Sequence, residues 1–228
     1  MYRRITVRHL NTTRWLCDVR NVNHRSSRAP TLALLAIVAS PAGWAGFCTS
    51  DPTPQGARHD LRFLAGYSPV SATLIGTASD RRFLLAGFDY SYRCWGWQHA
   101  SISYTGGLFP AAILLQPTQA FAPAHAVYGF GVTPLGFTFD FARNRKVYPF
   151  LETDEGIIAS TQPIPENVPG GTGLNFLVDF GGGVRIKSGD RHAITLGYRF
   201  LHISNGFTTD VNPGVDNNVF YVGFSFLR

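Results

Sequence analysis

The 228-residue sequence has little charge, few cysteines and no helical pattern. Only 15% of its residues are charged, against 45% that are hydrophobic. After about residue 58, no stretch repeats apolar residues at the helical period, which excludes a helix bundle. The three cysteines form no CxxC motif, and the sequence has no HExxH motif and no clustered His/Cys ligand spacing. These absences argue against a zinc site, and we expect neither a metal ion nor a cofactor.

The formal charge of +6 is confined to the N-terminal part of the chain. Seven arginines precede residue 46, where Asp18 is the only acidic residue, so the remainder holds 13 basic and 13 acidic residues. A polyanion-binding surface needs a basic excess within the folded domain, and the sequence has none there. We therefore expect no nucleic-acid partner.

The N-terminal segment has the pattern of a secretory signal. A basic stretch is followed by the apolar run Thr31–Ala45, with small residues at 43 and 45 where a signal peptidase would cut. This predicts a signal peptide over 1–45 and a lead-in over 46–57, with a retained anchor helix as the alternative. Cleavage of the signal peptide would remove Cys17. An oxidising compartment would allow Cys48 and Cys94 to pair, but the sequence does not show whether they do.

The rest of the chain alternates apolar and polar residues in short segments separated by turns rich in Gly, Pro, Asn or Asp. The fold class is therefore all-β. Eight strands are predicted, at about 60–67, 82–93, 99–107, 126–141, 146–159, 174–187, 192–204 and 216–227. An even number of strands suits a closed antiparallel barrel.

The two faces of these strands differ in a way that favours a membrane barrel. One face is broad and aromatic, as in Phe137, Phe139 and Phe141. The other mixes glycine with both signs of charge: Arg62, Asp89, Arg93, Asp140, Asp179, Arg185 and Arg199. A small transmembrane barrel turns its aromatic face to lipid and pairs such charges inside. We predict an eight-stranded antiparallel outer-membrane β-barrel over 58–228, with a soluble barrel that binds an apolar ligand as the alternative.

His202 and Ser204 lie on the aromatic face of the seventh predicted strand, because residues i and i+2 project to the same side. A serine becomes a nucleophile beside a base, which is commonly a histidine oriented by a carboxylate. Asp216, at the start of the last predicted strand, projects to the same outward face and could supply this carboxylate. Asp210, in the intervening loop, is the alternative acid. The simplest alternative is that His202 and Ser204 are ordinary interfacial residues before an Asn-Gly turn.

The stretch YRFLHISNGF..DVNPGVDNN..FYVGFSF closely resembles the C-terminal signature of the outer-membrane lipid A 3-O-deacylases, the PagL-like acyloxyacyl hydrolases. The resemblance extends more loosely upstream through VYGFGVTPLGFTFDF, RKVYPFLETDEG and LNFLVDFGGGVR, so that it covers roughly 58–228. It implies an eight-stranded barrel in the bacterial outer membrane, surrounded by membrane lipids, that removes the ester-linked 3-O-acyl chain from lipid A.

The resemblance also implies roles for individual residues. His202 matches the general base and Ser204 the nucleophile, while Asn205 and Gly206 adjoin the oxyanion site. The acid position falls twelve residues after the serine, on Asp216, where the best-characterised members carry Glu. This departure leaves a catalytically silent barrel with a structural or adhesive role as the alternative function. Whether the barrel forms a homodimer is left open.

Overall fold

The structure is a computed structural model that describes Cys48 and residues 57–118 and 123–228. The predicted signal peptide at 1–45 lies outside the described residues, as does the lead-in at 46–57 apart from Cys48 and Ala57. Within the described ranges, no helix is both long enough and apolar enough to cross a bilayer.

The described residues form eight long strands and one short one. The strands are β1 (His59–Ser68), β2 (Ser71–Ala72), β3 (Arg82–Gly96), β4 (Ala100–Gln116), β5 (His125–Phe141), β6 (Val147–Ile164), β7 (Thr172–Lys187), β8 (His192–Ser204) and β9 (Val215–Leu227).

The eight long strands close into an antiparallel barrel. From β3 to β9 each strand pairs with the next, β1 pairs with β3, and β1 also pairs with β9 to complete the cylinder. The two-residue β2 continues the path of β1 along β9, after a break at Pro69, which has no N–H group to donate to the ladder. The predicted all-β barrel of eight strands is confirmed.

Three elements differ from the sequence-based prediction, and one of them is β6, which ends at Ile164 instead of near 159. β4 runs to Gln116 instead of ending near 107, because register shifts around Gly107 and Pro110 interrupt the alternation on which the prediction rested. The short β2 was not predicted, since two paired residues give no periodic signal.

Paired charges fill the centre of the barrel. Arg62 and Arg199 are both buried, and they contact carboxylates from three different strands, with Tyr221 donating to Glu152 at 2.6 Å. The acidic partners of the two arginines are Asp89, Glu152, Asp154 and Asp179. Nearer one end, Arg185 pairs with Asp60 at 2.9 Å. The less apolar strand face therefore points inward, as predicted.

Large apolar side chains cover the outside. The exposed members include Phe63, Leu84, Tyr90, Leu151, Phe180, Leu196, Phe220, Val222, Phe224 and Phe226. A soluble barrel would bury such a face, whereas an outer-membrane barrel presents it to lipid. The soluble alternative is therefore wrong.

The two ends of the barrel are unequal. At one end the strands are joined by short turns at 97–99, 142–146 and 188–191, and at the other by longer described connections at 69–81, 165–171 and 205–214. Outer-membrane barrels place short turns in the periplasm and long loops outside the cell. The described ends of the chain meet at the short-turn end, where Arg58 N donates to Arg228 O. The structure also joins Cys48 to Cys94, near the end of β3 on that side.

Candidate active site

The candidate site lies on the outer wall of the barrel, at the long-loop end, where β8 ends and β9 begins. In the antiparallel register of these strands, His202 is directly opposite Asp216. Ser204 follows two residues later on the same outward face as His202. The structure therefore pairs His202 with Asp216 at the rim of the barrel and places Ser204 two residues further along the same strand face.

His202 and Asp216 form a close hydrogen-bonded pair. Nδ1 of His202 lies 2.6 Å from Oδ1 of Asp216. The side chain of His202 is 15% exposed, whereas that of Asp216 is fully buried. When Nδ1 donates to the carboxylate, Nε2 becomes the nitrogen that can accept a proton, as a general base requires.

The second carboxylate oxygen of Asp216 is held by the main chain. Oδ2 accepts hydrogen bonds from the N–H groups of Leu74, Ile75 and Gly76 at 2.8, 2.7 and 2.9 Å. We call residues 74–76 the amide cradle. Both oxygens of a buried carboxylate are thus satisfied, which avoids the large cost of burying an unpaired charge.

The imidazole of His202 packs on Gly214, in the loop before β9. A Cβ added at Gly214 would overlap Cε1 of the ring and lie 3.0 Å from Nε2. The glycine of the NPG sequence therefore provides the space that the ring occupies. This gives the glycine at position 214 a steric reason that does not depend on turn conformation.

Ser204 is nearly buried and lies opposite Phe176 of β7. Among residues 57–118 and 123–228, no hydrogen bond within 3.5 Å connects its hydroxyl to His202. Catalytic hydrogen bonds often tighten only when substrate is bound, so the shared face and spacing remain compatible with a nucleophile and its base.

Asn205 makes four side-chain hydrogen bonds within the loops. Its Nδ2 donates towards Gly170 O, Thr209 Oγ1 and Val211 O at 2.7, 2.9 and 2.8 Å, and its Oδ1 accepts from Phe207 N at 2.7 Å. The side-chain amide therefore links residues of the β8–β9 loop to one another and to Gly170 in the β6–β7 connection. Gly206 adopts a positive φ of 60° against the ring of Phe176, which favours glycine at this turn.

The structure distinguishes the two candidate acids. Asp216 bonds to His202, whereas Asp210 is exposed in the β8–β9 loop. Sequence reasoning missed the amide cradle, because its contribution comes from main-chain N–H groups that any residue except proline supplies. Among the described residues, no cluster of three or more His, Cys, Asp or Glu side chains could hold a metal ion.

Comparison with known proteins gives one family and a set of similar folds. The family model described as lipid A 3-O-deacylase (PagL) matches residues 85–225. The crystal structure of the outer membrane enzyme PagL is similar at a TM-score of 0.53 and 17% identity, covering 72% of this chain and 97% of that one. Neisserial surface protein A is similar at a TM-score of 0.49 and 11% identity, covering 76% of this chain and 100% of that one. None of the curated protein sequences compared matches this chain.

Proposed function

This chain belongs to the lipid A 3-O-deacylase (PagL) family, and from that premise we propose that it removes the 3-O-acyl chain of lipid A through a Ser204–His202–Asp216 triad. Family membership supports an outer-membrane lipid A deacylase, and the choice of a serine mechanism is our own step. The observation that carries it is the 2.6 Å bond between His202 and Asp216 beside Ser204 on the outer wall.

The proposed reaction is acyl transfer in two steps. His202 Nε2 takes the proton of Ser204, and Oγ attacks the carbonyl carbon of the ester. The tetrahedral intermediate collapses, the bond to the sugar oxygen breaks, and His202 returns the proton to that oxygen. In the second step His202 removes a proton from water, which attacks the acyl-serine; the bond between the acyl carbon and Oγ then breaks, and His202 returns the proton to Oγ. The products are a free 3-hydroxy fatty acid and regenerated Ser204.

Asp216 would hold the imidazole in the required tautomer and stabilise its charged form during both proton transfers. For the oxyanion we propose the main-chain N–H groups of Asn205 and Gly206. The two amide hydrogens of the Asn205 side chain are already shared among three acceptors, so this amide has no hydrogen left for the oxyanion. Loss of one oxyanion donor typically costs about 2.7–4 kcal/mol of barrier.

The outward position of the site suits a lipid substrate. Lipid A diffuses within the outer leaflet, so its ester reaches a catalytic group on the exterior of the barrel without entering the lumen. On the neighbouring strand β7, exposed Val178 lies directly opposite His202, and exposed Phe180 lies two residues further from the rim. Interfacial polar groups at this height are also far less costly than they would be in the hydrocarbon core.

The test is the mass of lipid A before and after incubation with the purified protein in detergent. We expect loss of one ester-linked 3-hydroxyacyl chain with the wild-type protein and no change with Ser204→Ala or His202→Ala. Ser91→Ala, at a serine inside the barrel on the far side from the loops, serves as the matched serine control. Intact lipid A under conditions in which another member of the family is active would instead support the silent barrel.

A further inference from the structure

The connection between β2 and β3 lies against the triad, although no periodic pattern marks it in the sequence. Three consecutive N–H groups of this segment converge on one carboxylate oxygen, Asp216 Oδ2. Leu74 and Ile75, which supply two of them, have side chains that are 74% and 62% exposed. The segment therefore contacts the triad through its backbone and not through its side chains.

The amide cradle is docked on the loop that precedes β9. Thr77 N and Ala78 N both donate to Gly214 O, at 3.0 and 3.1 Å. Gly76 approaches Gly214 so closely that an added Cβ would overlap the Gly214 carbonyl. Gly214 in turn supports the imidazole of His202. One glycine thus lies between the cradle and the general base.

We infer that the amide cradle is a positioning element for the catalytic acid, and that Gly76 is the residue on which its placement depends. This inference rests on the proposed function. The cradle holds Oδ2, which leaves Oδ1 directed at Nδ1 of His202, so the short Asp side chain has one orientation. A carboxylate that accepts several N–H bonds is also stabilised in its charged form, which the imidazolium intermediate requires.

The first experiment is a double-mutant cycle on lipid A deacylation with Gly76→Ala and Asp216→Ala. We expect Gly76→Ala alone to lower kcat by about tenfold to hundredfold, the range for a displaced catalytic group, with KM within about twofold. On the Asp216→Ala background it should cause no further loss, because the group through which it acts is gone. Gly173→Ala, whose added Cβ would meet only Ser160 O at 3.5 Å, should match the wild type. Additive losses would overturn the inference.

The second experiment does not require activity, so it separates failure of this inference from failure of the proposed function. The proton shared by His202 and Asp216 should give a downfield ¹H NMR signal in the folded barrel, present also in Ser204→Ala and Gly173→Ala. We expect the signal to be lost in Asp216→Asn and lost or broadened in Gly76→Ala. An unchanged signal in folded Gly76→Ala would overturn the inference even if the wild type is active.

A further pair of variants covers the case in which Gly76→Ala does not fold. Ile75→Pro removes the central N–H donor of the cradle and leaves Gly76 intact, whereas Ile75→Ala keeps the donor. We expect the downfield signal to persist in Ile75→Ala and to weaken or disappear in Ile75→Pro. Equal signals in the two variants would show that the cradle does not position Asp216.

Discussion

Arg62 and Arg199 donate to the same oxygen of Asp89, Oδ2, at 2.6 and 2.7 Å. Each arginine also forms an ion pair with a different oxygen of Glu152. The two positive charges therefore lie close together because they share the same carboxylates. Both guanidinium groups also lie over the ring of Tyr221, at 5.4 and 5.1 Å from its centroid. The barrel interior is therefore a cross-linked polar core that connects β1, β3, β6, β8 and β9.

Replacing Arg199 with methionine should strongly destabilise the barrel. Arg199 contacts four carboxylates, and within the described ranges its loss would leave Arg62 as the ion-pair partner of Asp89 and Glu152 and no ion-pair partner for Asp154 and Asp179. Removing one partner of a buried ion pair typically costs about 3–5 kcal/mol. Urea unfolding in detergent, followed by the heat-modifiable gel shift, would measure the change in the free energy of unfolding.

The matched control for this prediction is Arg145→Met, at an exposed position in the turn between β5 and β6. It removes the same charge without opening the buried network, so its free energy of unfolding should stay close to that of the wild type. Equal effects of the two substitutions would show that the interior network contributes little to stability.

Gly214→Ala should reduce activity while leaving the barrel folded. The new Cβ would overlap the imidazole, which must move away from Asp216 or from Ser204. Displacement of a catalytic group by about 1 Å can cost on the order of a hundredfold in rate. The kcat for lipid A deacylation is the measurement, with circular dichroism as the check on folding. Activity equal to that of Gly173→Ala would contradict the proposed packing of the ring.

Asp216→Glu should lower activity, although the resemblance noted in the sequence analysis implies Glu at this position. The amide cradle and His202 Nδ1 are placed to receive the two oxygens of an aspartate. An added methylene would move the carboxylate by more than 1 Å and force either the cradle or the imidazole to shift. We expect kcat to fall between those of the wild type and Asp216→Ala. A higher kcat than the wild type would show that the shorter acid is poorly placed.

Much of this arrangement could be predicted from local pattern alone. Strand alternation identified the lipid-facing side, and parity placed His202, Ser204 and Asp216 on it, because a strand fixes the direction of each side chain. The cradle could not be predicted, since its donors are main-chain N–H groups brought close by the closure of β1 on β9. The hydrogen bonds of the Asn205 side chain could not be predicted either, because its partners Gly170 and Val211 come from two separate loops.

The side chain of Asn205 could act either as a link within the loops or as an oxyanion donor, and the variant Asn205→Ala separates these two roles. In Asn205→Ala the loop loses its hydrogen bonds to Gly170, Thr209 and Val211. Phe207, with a side chain that is 76% exposed, then becomes a cleavage site for chymotrypsin once the loop opens. We expect faster cleavage after Phe207 in this variant than in Ser204→Ala, which removes the nucleophile but none of these bonds.

Activity measured on the same samples completes the test. If Asn205 acts by linking the loops, the deacylation rate of Asn205→Ala should fall in proportion to the fraction of protein with an open loop. Lower temperature should restore part of the activity, because a closed loop puts the main-chain N–H groups of residues 205 and 206 back in position. If its side chain is instead the oxyanion donor, kcat should fall about 10²–10³-fold while Phe207 stays protected from chymotrypsin. That second outcome would move the oxyanion site from the backbone at 205–206 to the amide of Asn205.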